Sequence, residues 1–213
     1  MGVTTKLLSQ VYVYMKYVVS RYNHDYNWIS EYTDDVVMYD RSEKKAPGSI
    51  HVDNIGSDLY DKFTFIIDNY DNLPDVAVYT KCNLFKYITK EEFDKVKDNT
   101  EFTPLFTKNH RVYDDENGNP VCFYDDQGMF NEVNNFWYLY PHPAKYAPHF
   151  IKEFDMNNRL YNVFAPGSNY IVPKENIQKK PKEWYERFRS YLEWDVYPGD
   201  AQLLERNLYY LWR

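Results

Sequence analysis

The sequence predicts an α/β domain with a central mixed, mostly parallel sheet flanked by helices. Along residues 1–100, runs rich in β-branched and aromatic residues alternate with segments of helical periodicity, which is typical of β-α-β units. Residues 75–80 carry a continuous apolar run, which is typical of a strand covered on both faces. A composition of 44% hydrophobic and 19% aromatic residues supplies enough buriable surface for a sizeable core.

The opening segment predicts strands separated by a short helix. Residues 16–22 are β-branched and aromatic, and the polar residues that follow end this first strand. Asp25 is expected to cap a short helix that reaches Tyr32. Residues 35–40 and 49–52 predict the second and third strands.

The clearest helix follows, over residues 57–70. Its apolar side chains recur at helical spacing, Ser57 or Asp58 is the expected N-cap, and Pro74 stops the pattern. The apolar strand 75–80 comes next and is expected at the centre of the sheet. A crossover helix over residues 89–98 is predicted after it.

The later part of the chain is less regular. Residues 115–118, Asp-Glu-Asn-Gly, predict a hairpin turn between strands 111–113 and 120–124. The remaining predicted elements are a helix over 145–154, strands over 160–164 and 169–172, a helical turn over 173–177, and helices over 181–192 and 201–212.

Length and charge limit the protein class. The 213 residues suit one domain, with a nucleotide-sugar-binding part over about 1–100 and an acceptor-binding part over about 101–213, and we expect it to be the amino-terminal piece of a longer chain. The net charge is −7 and the charges are interspersed, which argues against a partner of duplex nucleic acid. Two cysteines, no signal-peptide core and no apolar run of about 18 residues predict an intracellular, cytoplasmic protein with no membrane span.

Polar residues that follow the predicted strands form the candidate ligand site, because open α/β sheets bind ligands at the carboxyl ends of their strands. They are Arg21, Tyr22, Asn23 and Asp25 after the first strand, Asp53, Asn54 and Asp58 after the third, and Lys81 and Asn83 after the central one. Such a set suits a diphosphate held by Arg21 and Lys81, with sugar hydroxyls bound by Asp and Asn. The alternative is that each residue is an ordinary strand end, cap or turn former.

Several common activities lack their motifs. The sequence contains no G-x-G-x-x-G after the first strand, no P-loop and no G-x-S-x-G elbow, which disfavours dehydrogenases, P-loop enzymes and α/β-hydrolases. Cys82 follows the central strand as a possible nucleophile, although a small buried cysteine is the better interpretation.

Histidines and aromatic residues suggest two further sites. His142 and His149, with the acidic Asp125, Asp126 and Asp155, make a His/Asp metal site conceivable, but their spacing matches no zinc motif, and an acceptor-pocket or loop position is favoured. The Trp137 ring beside His142 is a candidate platform for the apolar face of a sugar, against a core position as the alternative.

Five segments together resemble nucleotide-sugar glycosyltransferases of the GT-A fold, including those of chlorella viruses that modify the major capsid protein. Three lie early: Val-Val-Ser-Arg-Tyr-Asn-His-Asp-Tyr-Asn-Trp-Ile (18–29), Asn-Ile-Gly-Ser-Asp-Leu-Tyr (54–60) and Ile-Ile-Asp-Asn-Tyr-Asp-Asn-Leu-Pro-Asp (66–75). Two lie late: Tyr-Ile-Val-Pro-Lys-Glu-Asn-Ile-Gln-Lys-Lys-Pro-Lys-Glu-Trp-Tyr (170–185) and Leu-Leu-Glu-Arg-Asn-Leu-Tyr-Tyr-Leu-Trp (203–212). The middle of the chain resembles the family poorly.

The resemblance implies a hexosyltransferase. The donor would be a UDP-sugar such as UDP-glucose, or a rhamnose donor, and the acceptor a glycan or glycoprotein, with a viral capsid protein as one candidate. It places the nucleoside near Ser20, Arg21 and Tyr22, and the diphosphate with Mn²⁺ or Mg²⁺ at the end of the central strand. There Thr80-Lys81-Cys82-Asn83 replaces the usual Asp-x-Asp, so the metal ligands are unknown.

Two catalytic residues follow from the resemblance. Lys81 would supply the positive charge that stabilises the departing diphosphate. Glu205, at the family position where a carboxylate faces the acceptor, would take the proton of the acceptor hydroxyl, against the alternative of an exposed surface glutamate. Competing functions are a non-catalytic carbohydrate-binding or interaction domain and a metal-dependent hydrolase built on His142 and His149.

Overall fold

The computed structural model describes residues 13–134 and 142–213, which form a mixed six-stranded sheet and a second, four-stranded sheet. The six-stranded sheet has the order β3-β2-β1-β4-β10-β5. Its strands are β1 (Met15–Arg21), β2 (Val36–Asp40), β3 (Ile50–His51), β4 (Val76–Lys81), β5 (Thr103–Pro104) and β10 (Tyr170–Pro173). The mixed α/β architecture predicted from the sequence is therefore confirmed.

The first four strands in sheet order run parallel, β10 runs antiparallel to them, and β5, which is antiparallel to β10, runs in the direction of the first four again. β1 pairs in parallel with β2 on one side and with β4 on the other. β10 pairs antiparallel with both β4 and β5. The sheet is thus mostly parallel, and β4 has a parallel neighbour on only one side.

Alternating side chains divide the core between the two faces of this sheet. Val18 and Tyr79 are buried on the face covered by the longer helices. Tyr17, Val19 and Val78 are buried on the opposite face. Burial on both faces is the reason that β1 and β4 read as nearly continuous apolar runs.

The second sheet is antiparallel, in the order β6-β7-β8-β9. It contains β6 (Tyr113–Asp114), β7 (Pro120–Tyr124), β8 (Phe130–Val133) and β9 (Tyr161–Phe164). The predicted hairpin is the β6–β7 pair, whereas β8 and β5 were not predicted. This sheet buries a small cluster of its own, with Cys122, Phe130 and Phe164 at its centre.

Six α-helices surround the six-stranded sheet in the described part of the chain. They are α1 (Ser57–Asn69), α2 (Lys90–Val96), α3 (Ala147–Glu153), α4 (Lys174–Ile177), α5 (Lys182–Ser190) and α6 (Gly199–Trp212). α1, α3, α5 and α6 contribute to the core on one face, and α2 to the core on the other. No helix within residues 13–134 and 142–213 has the length and apolarity needed to cross a bilayer.

Two helix starts differ from the predicted ones. The short helix near Tyr32 is a 3-10 helix, Asn27–Glu31, whose N-cap is Tyr26 and not the expected Asp25. We expected Ser57 or Asp58 to cap α1, but the N-cap is Gly56, in the left-handed region at φ 65°, with no side-chain cap. Asp58 lies inside the first turn, and its carboxylate binds lysines instead of helix N–H groups. At the start of α2, Thr89 forms a capping box with Glu92.

Both cysteines are buried thiols. Burial raises the pKa of Cys82 to about 12 and that of Cys122 to about 11. Since the thiolate is the reactive form, neither side chain is activated as a nucleophile at neutral pH. The interpretation of Cys82 as a small core residue fits this environment.

The carboxyl-terminal helix anchors the core through Trp212. This fully buried side chain stacks on Tyr79 with ring centroids 5.2 Å apart, and meets Tyr170 edge-on at 5.7 Å. It therefore joins α6 to β4 and β10.

Replacing Trp212 by alanine is expected to lower the free energy of unfolding by about 3–5 kcal/mol, because the substitution leaves a large cavity in the core. Urea unfolding followed by circular dichroism measures the change. Leu160→Ala is the matched control, since 70% of Leu160 is exposed and its loss is expected to cost less than about 0.5 kcal/mol. Similar losses for both variants would contradict the anchoring role of Trp212.

Candidate functional site

The candidate site lies at the carboxyl ends of β1 and β4. The chain leaves β1 for β2 on one side, then returns through α1 to β4 on the other side. This is the switch point at which open α/β sheets bind ligands. A cavity of about 180 Å³ opens there, called the first cavity. It is lined by Ser20, Arg21, Tyr22, His24, Arg41, Asn54, Ser57, Asp58, Lys81, Asn83, Tyr87 and Tyr197.

The structure brings together all the side chains proposed for donor binding. Ser20, Arg21 and Tyr22 come from the end of β1, Asn54 and Asp58 from the segment before and within α1, and Lys81 and Asn83 from the end of β4. Arg21 and Lys81 thus line the same cavity. Apart from Ser20, which the family resemblance indicated, these residues were named by the strand-end rule. Asn23, Asp25 and Asp53, named by the same rule, do not line this cavity. The roles of all of them remain predictions.

Asp58 is the electrostatic centre of the first cavity. Its carboxylate pairs with Lys62 and lies 3.2 Å from the ammonium nitrogen of Lys81. Ser168 donates a hydrogen bond of 2.5 Å to the same carboxylate. Burial alone would raise the pKa of Asp58, but the two lysines and these hydrogen bonds outweigh burial and hold the pKa well below its usual range. Asp58 is therefore ionised at any physiological pH.

Lys81 lies between two carboxylates. Burial would lower the pKa of its ammonium group, but Asp58 and, more weakly, Glu205 raise the pKa above its usual range. Its side chain is 23% exposed, while that of Lys62 is fully buried. Of these two lysines, Lys81 is therefore the one that presents a fixed positive charge to the cavity.

Arg21 lines the first cavity but is also bonded within the chain. Its guanidinium donates to Asp40 at 2.7 Å, to Ser42 at 2.9 Å and to the carbonyl of Lys44 at 2.8 Å. These bonds hold the loop that follows β2 against the end of β1. Arg21 thus shapes the wall of the cavity, whatever contact it makes with a ligand.

A connecting segment, residues 165–169, joins the two sheets across the site. The N–H of Gly167 donates to Glu205 at 2.7 Å, and the N–H of Lys81 donates to Asn169 at 3.0 Å. Gly167 has φ 92°, and an added Cβ would lie 2.5 Å from the Tyr87 ring. Ser168 is also left-handed, at φ 58°, which its bond to Asp58 compensates.

A larger, second cavity of about 420 Å³ lies on the other side of Lys81, between the antiparallel sheet and α6. It is lined by Lys81, Tyr87, His110, Arg111, Tyr113, Cys122, Phe130, Glu132, Phe164, Pro166, Gly167, Gln202, Glu205 and Arg206. Lys81 and Tyr87 therefore line both cavities. Glu205 faces the second cavity from α6.

The second cavity contains a buried ion pair. Arg206 on α6 donates a hydrogen bond of 2.5 Å to Glu132 on β8, and the two side chains are 2% and 5% exposed. The guanidinium of Arg206 also lies over the Phe164 ring, 5.1 Å from its centroid. Burial lowers the pKa of His110 in the same cavity, while Glu205 acts in the opposite direction.

The other predicted site residues lie apart. Trp137 falls outside the described residues. His142 is exposed, with its ring 6.1 Å from that of Tyr197, beside the mouth of the first cavity. His149 packs instead against Tyr191 on a different surface, 5.0 Å between ring centroids. His142 and His149 thus contact different aromatic side chains, Tyr197 and Tyr191 respectively.

The carboxylates of Asp115 and Asp125 form hydrogen bonds within their own turns. Asp115 accepts hydrogen bonds from the N–H groups of Asn117 and Asn119, and Asp125 accepts from Gln127 and Met129. These bonds are typical of turn formation. Over residues 13–134 and 142–213, no group of three or more His, Cys, Asp or Glu side chains has the arrangement to hold a metal ion.

Sequence reasoning missed several residues of the site. Arg41 directly follows β2, so the strand-end rule contained the signal; it donates to the carbonyl of Ser57 and to Asp61, both at 2.5 Å. Lys62 and Ser168 gave no signal, since a lysine on a helix and a serine in a loop are ordinarily exposed. Glu132 was missed because its partner Arg206 is distant in sequence.

Acid is expected to destabilise the site through Asp40. Burial alone raises the pKa of Asp40, but hydrogen bonds from Ala46, Ser42 and Arg21 lower the pKa from 3.8 to about 2. Because this pKa is lower in the folded chain, the stabilisation is present above about pH 4 and is lost as the pH falls through 2. The linked free energy is about 2 kcal/mol.

Urea unfolding at several pH values between 7 and 2 measures this linkage. In Asp40→Asn the loss of stability over that range should be smaller by about 2 kcal/mol than in the wild type. Asp34→Asn, on the loop before β2, is the control variant. An identical pH dependence for wild type and Asp40→Asn would refute the assignment, and carboxyl NMR titration of Asp40 in the wild type checks it without any substitution.

Comparison with known proteins gives a family and no characterised relative. No curated protein and no solved structure matches the chain. Residues 17–213 match the family described as "Protein of unknown function (DUF3431)". This match begins in β1 and continues to the end of α6, so it includes both sheets and both cavities. The chain is a member of the DUF3431 family.

Proposed function

We propose that this chain is a glycosyltransferase that moves a hexose or deoxyhexose from a nucleotide-diphosphate sugar to a glycan or glycoprotein acceptor. The observation that carries the proposal is the meeting of two cavities at Lys81. A transferase needs a donor site and an acceptor site that share the position of the reacting bond. The mostly parallel sheet, with its cavity at the switch point, supports the further proposal of a GT-A-like fold.

The first cavity suits the donor. Its residues offer cations, hydroxyl groups and amides at the carboxyl ends of β1 and β4, where a diphosphate and a ribose find complementary partners. The exposed rings of Tyr22 and Tyr197 at 43% and 47% are available to a nucleobase. Asn83 lines this cavity too, and its side-chain oxygen is without a hydrogen-bond partner among the described residues.

The charge arrangement favours a fixed cation over a divalent ion. Asp58 is the carboxylate nearest to the expected diphosphate position, and it is already neutralised by Lys62 and Lys81. A divalent ion there would meet two ammonium groups instead of the carboxylates and water oxygens that Mg²⁺ and Mn²⁺ prefer. The residues at this edge therefore do not fit the ion, and we propose that Lys81 stabilises the leaving diphosphate.

Glu205 is the proposed base, for a transfer that inverts the anomeric carbon. The acceptor oxygen forms a bond to that carbon while the bond from the carbon to the phosphate oxygen breaks, and the diphosphate leaves with the electron pair. The acceptor proton moves to the Glu205 carboxylate. One oxygen of this carboxylate accepts from the N–H of Gly167, which orients the group toward the cavity.

Nucleotide binding is the first test. Saturating UDP or UDP-glucose is expected to raise the melting temperature by about 5–10 °C, equally with Mn²⁺ and with EDTA, because ligand binding stabilises the native state. Lys81→Met should remove most of the shift. Lys86→Met is the matched control, since Lys86 is exposed and lines neither cavity. If no nucleoside diphosphate or nucleotide sugar shifts the melting temperature, the donor site is refuted.

Glu205→Gln tests the catalytic step. The amide keeps an oxygen for the Gly167 N–H but accepts no proton at neutral pH, so the rate of UDP release from UDP-glucose, in the presence of a panel of methyl glycosides, should fall about 10²- to 10⁴-fold. The nucleotide-induced thermal shift should be unchanged. Glu186→Gln, an exposed position on α5, is the control and should retain full activity. Activity of Glu205→Gln within a few-fold of the wild type would remove Glu205 from the mechanism.

A further inference from the structure

The second cavity has its own recognition chemistry, separate from that of the first. Its floor is apolar and aromatic, with Phe130 and Phe164 at 5% and 3% exposure. His110 and Tyr113 form a half-buried wall, in which Tyr113 has Arg111 over its ring at 5.1 Å. Flat, partly exposed rings of this kind pack against the C–H faces of sugar rings.

Polar groups surround this aromatic wall. The Glu132–Arg206 pair is buried at one side, and Gln202 accepts from Arg206 at 3.3 Å. Removing two charges from water has a large desolvation cost, which makes a buried pair in a cavity wall a poor device for stability alone. The pair does place a carboxylate and a guanidinium beside the Phe164 ring, and hydrogen bonds to charged groups are stronger than those between neutral groups.

The charges that line the second cavity are of both signs. They comprise three cations and two carboxylates: Lys81, Arg111, Arg206, Glu132 and Glu205. An anionic ligand would meet Glu132 and Glu205 at close range, and a cationic ligand would meet Lys81 and Arg206. Burial lowers the pKa of His110, which favours the neutral form of its ring. A neutral ring with several hydroxyls can use donors and acceptors of both signs.

We propose that the second cavity binds a neutral sugar ring, stacked on the His110–Tyr113 wall and hydrogen-bonded by the Glu132–Arg206 pair. In the proposed reaction, on which this step rests, that ring is the acceptor. Its hydroxyl lies toward Glu205, with the donor beyond Lys81. The acceptor site is thus formed by the antiparallel sheet and α6, and not by the His142 region that the sequence suggested.

Ligand-observed NMR tests this site with defined probes. Methyl glycosides of neutral hexoses and 6-deoxyhexoses are added without nucleotide, and glucuronic acid and glucosamine serve as anionic and cationic analogues. The expected result is saturation transfer to at least one neutral glycoside, and affinity at least about ten-fold lower for the charged analogues. Failure of every neutral glycoside to bind while UDP still raises the melting temperature would overturn this proposal and leave the donor site standing.

Variants locate the binding. Tyr113→Ala and Gln202→Ala are expected to weaken the neutral glycoside about ten-fold without changing the UDP-induced thermal shift. Tyr14→Ala is the matched control, since Tyr14 is 37% exposed and lines neither cavity. Unchanged affinity in both cavity variants would overturn the proposal. Binding of a glycoside through these residues in a protein that binds no nucleotide would support the sugar site and contradict the transferase.

Discussion

The carboxylate of Asp58 is the constraint on which the arrangement of the site depends. It lies at the start of α1 and binds Lys62 from the next turn, Lys81 from the end of β4 and Ser168 from the connecting segment. One buried carboxylate thereby connects a helix, a strand and a loop. Without it, the fully buried side chain of Lys62 would lose the carboxylate with which it pairs, and breaking a buried ion pair by removing one partner is strongly destabilising.

The same cluster also explains why Lys81 is available at the surface of the cleft. Asp58 forms its closer ion pair with the buried Lys62. Its contact with Lys81 is longer, at 3.2 Å, and part of the Lys81 side chain stays exposed. A cation fixed in this way needs little reorganisation when negative charge develops next to it. The connecting segment extends the network to Glu205 through the N–H of Gly167. The proposed acid–base group and the proposed electrostatic group are therefore held by one continuous set of hydrogen bonds.

Most strands and helices could be predicted from the sequence because their buried residues recur at the spacing of a strand or a helix. β1 and β4 are apolar on both faces, and α1 and α5 repeat apolar residues at helical spacing. The direction of β10 was beyond such reasoning, since the chain reaches this strand through a second sheet. β8 was missed because its buried Asn131 and Glu132 read as exposed loop residues.

The first cavity could be predicted from the sequence in part, whereas the second could not. The strand-end rule is geometric, so it placed Arg21, Asp58 and Lys81 at one cavity from sequence alone. The second cavity depends on contacts between α6 and the antiparallel sheet, and neither Arg206 nor Glu132 indicates its partner by local pattern. Long-range ion pairs of this kind become visible only when the chain is folded.

The two buried thiols allow the opening of each sheet to be followed separately. Cys82 directly follows β4 of the six-stranded sheet, and Cys122 lies in β7 of the antiparallel sheet. Both thiols are buried, and burial raises their pKa values. An alkylating reagent therefore modifies either thiol only when the surrounding sheet opens. The rates of modification at the two positions report whether the halves of the cleft open together or one before the other.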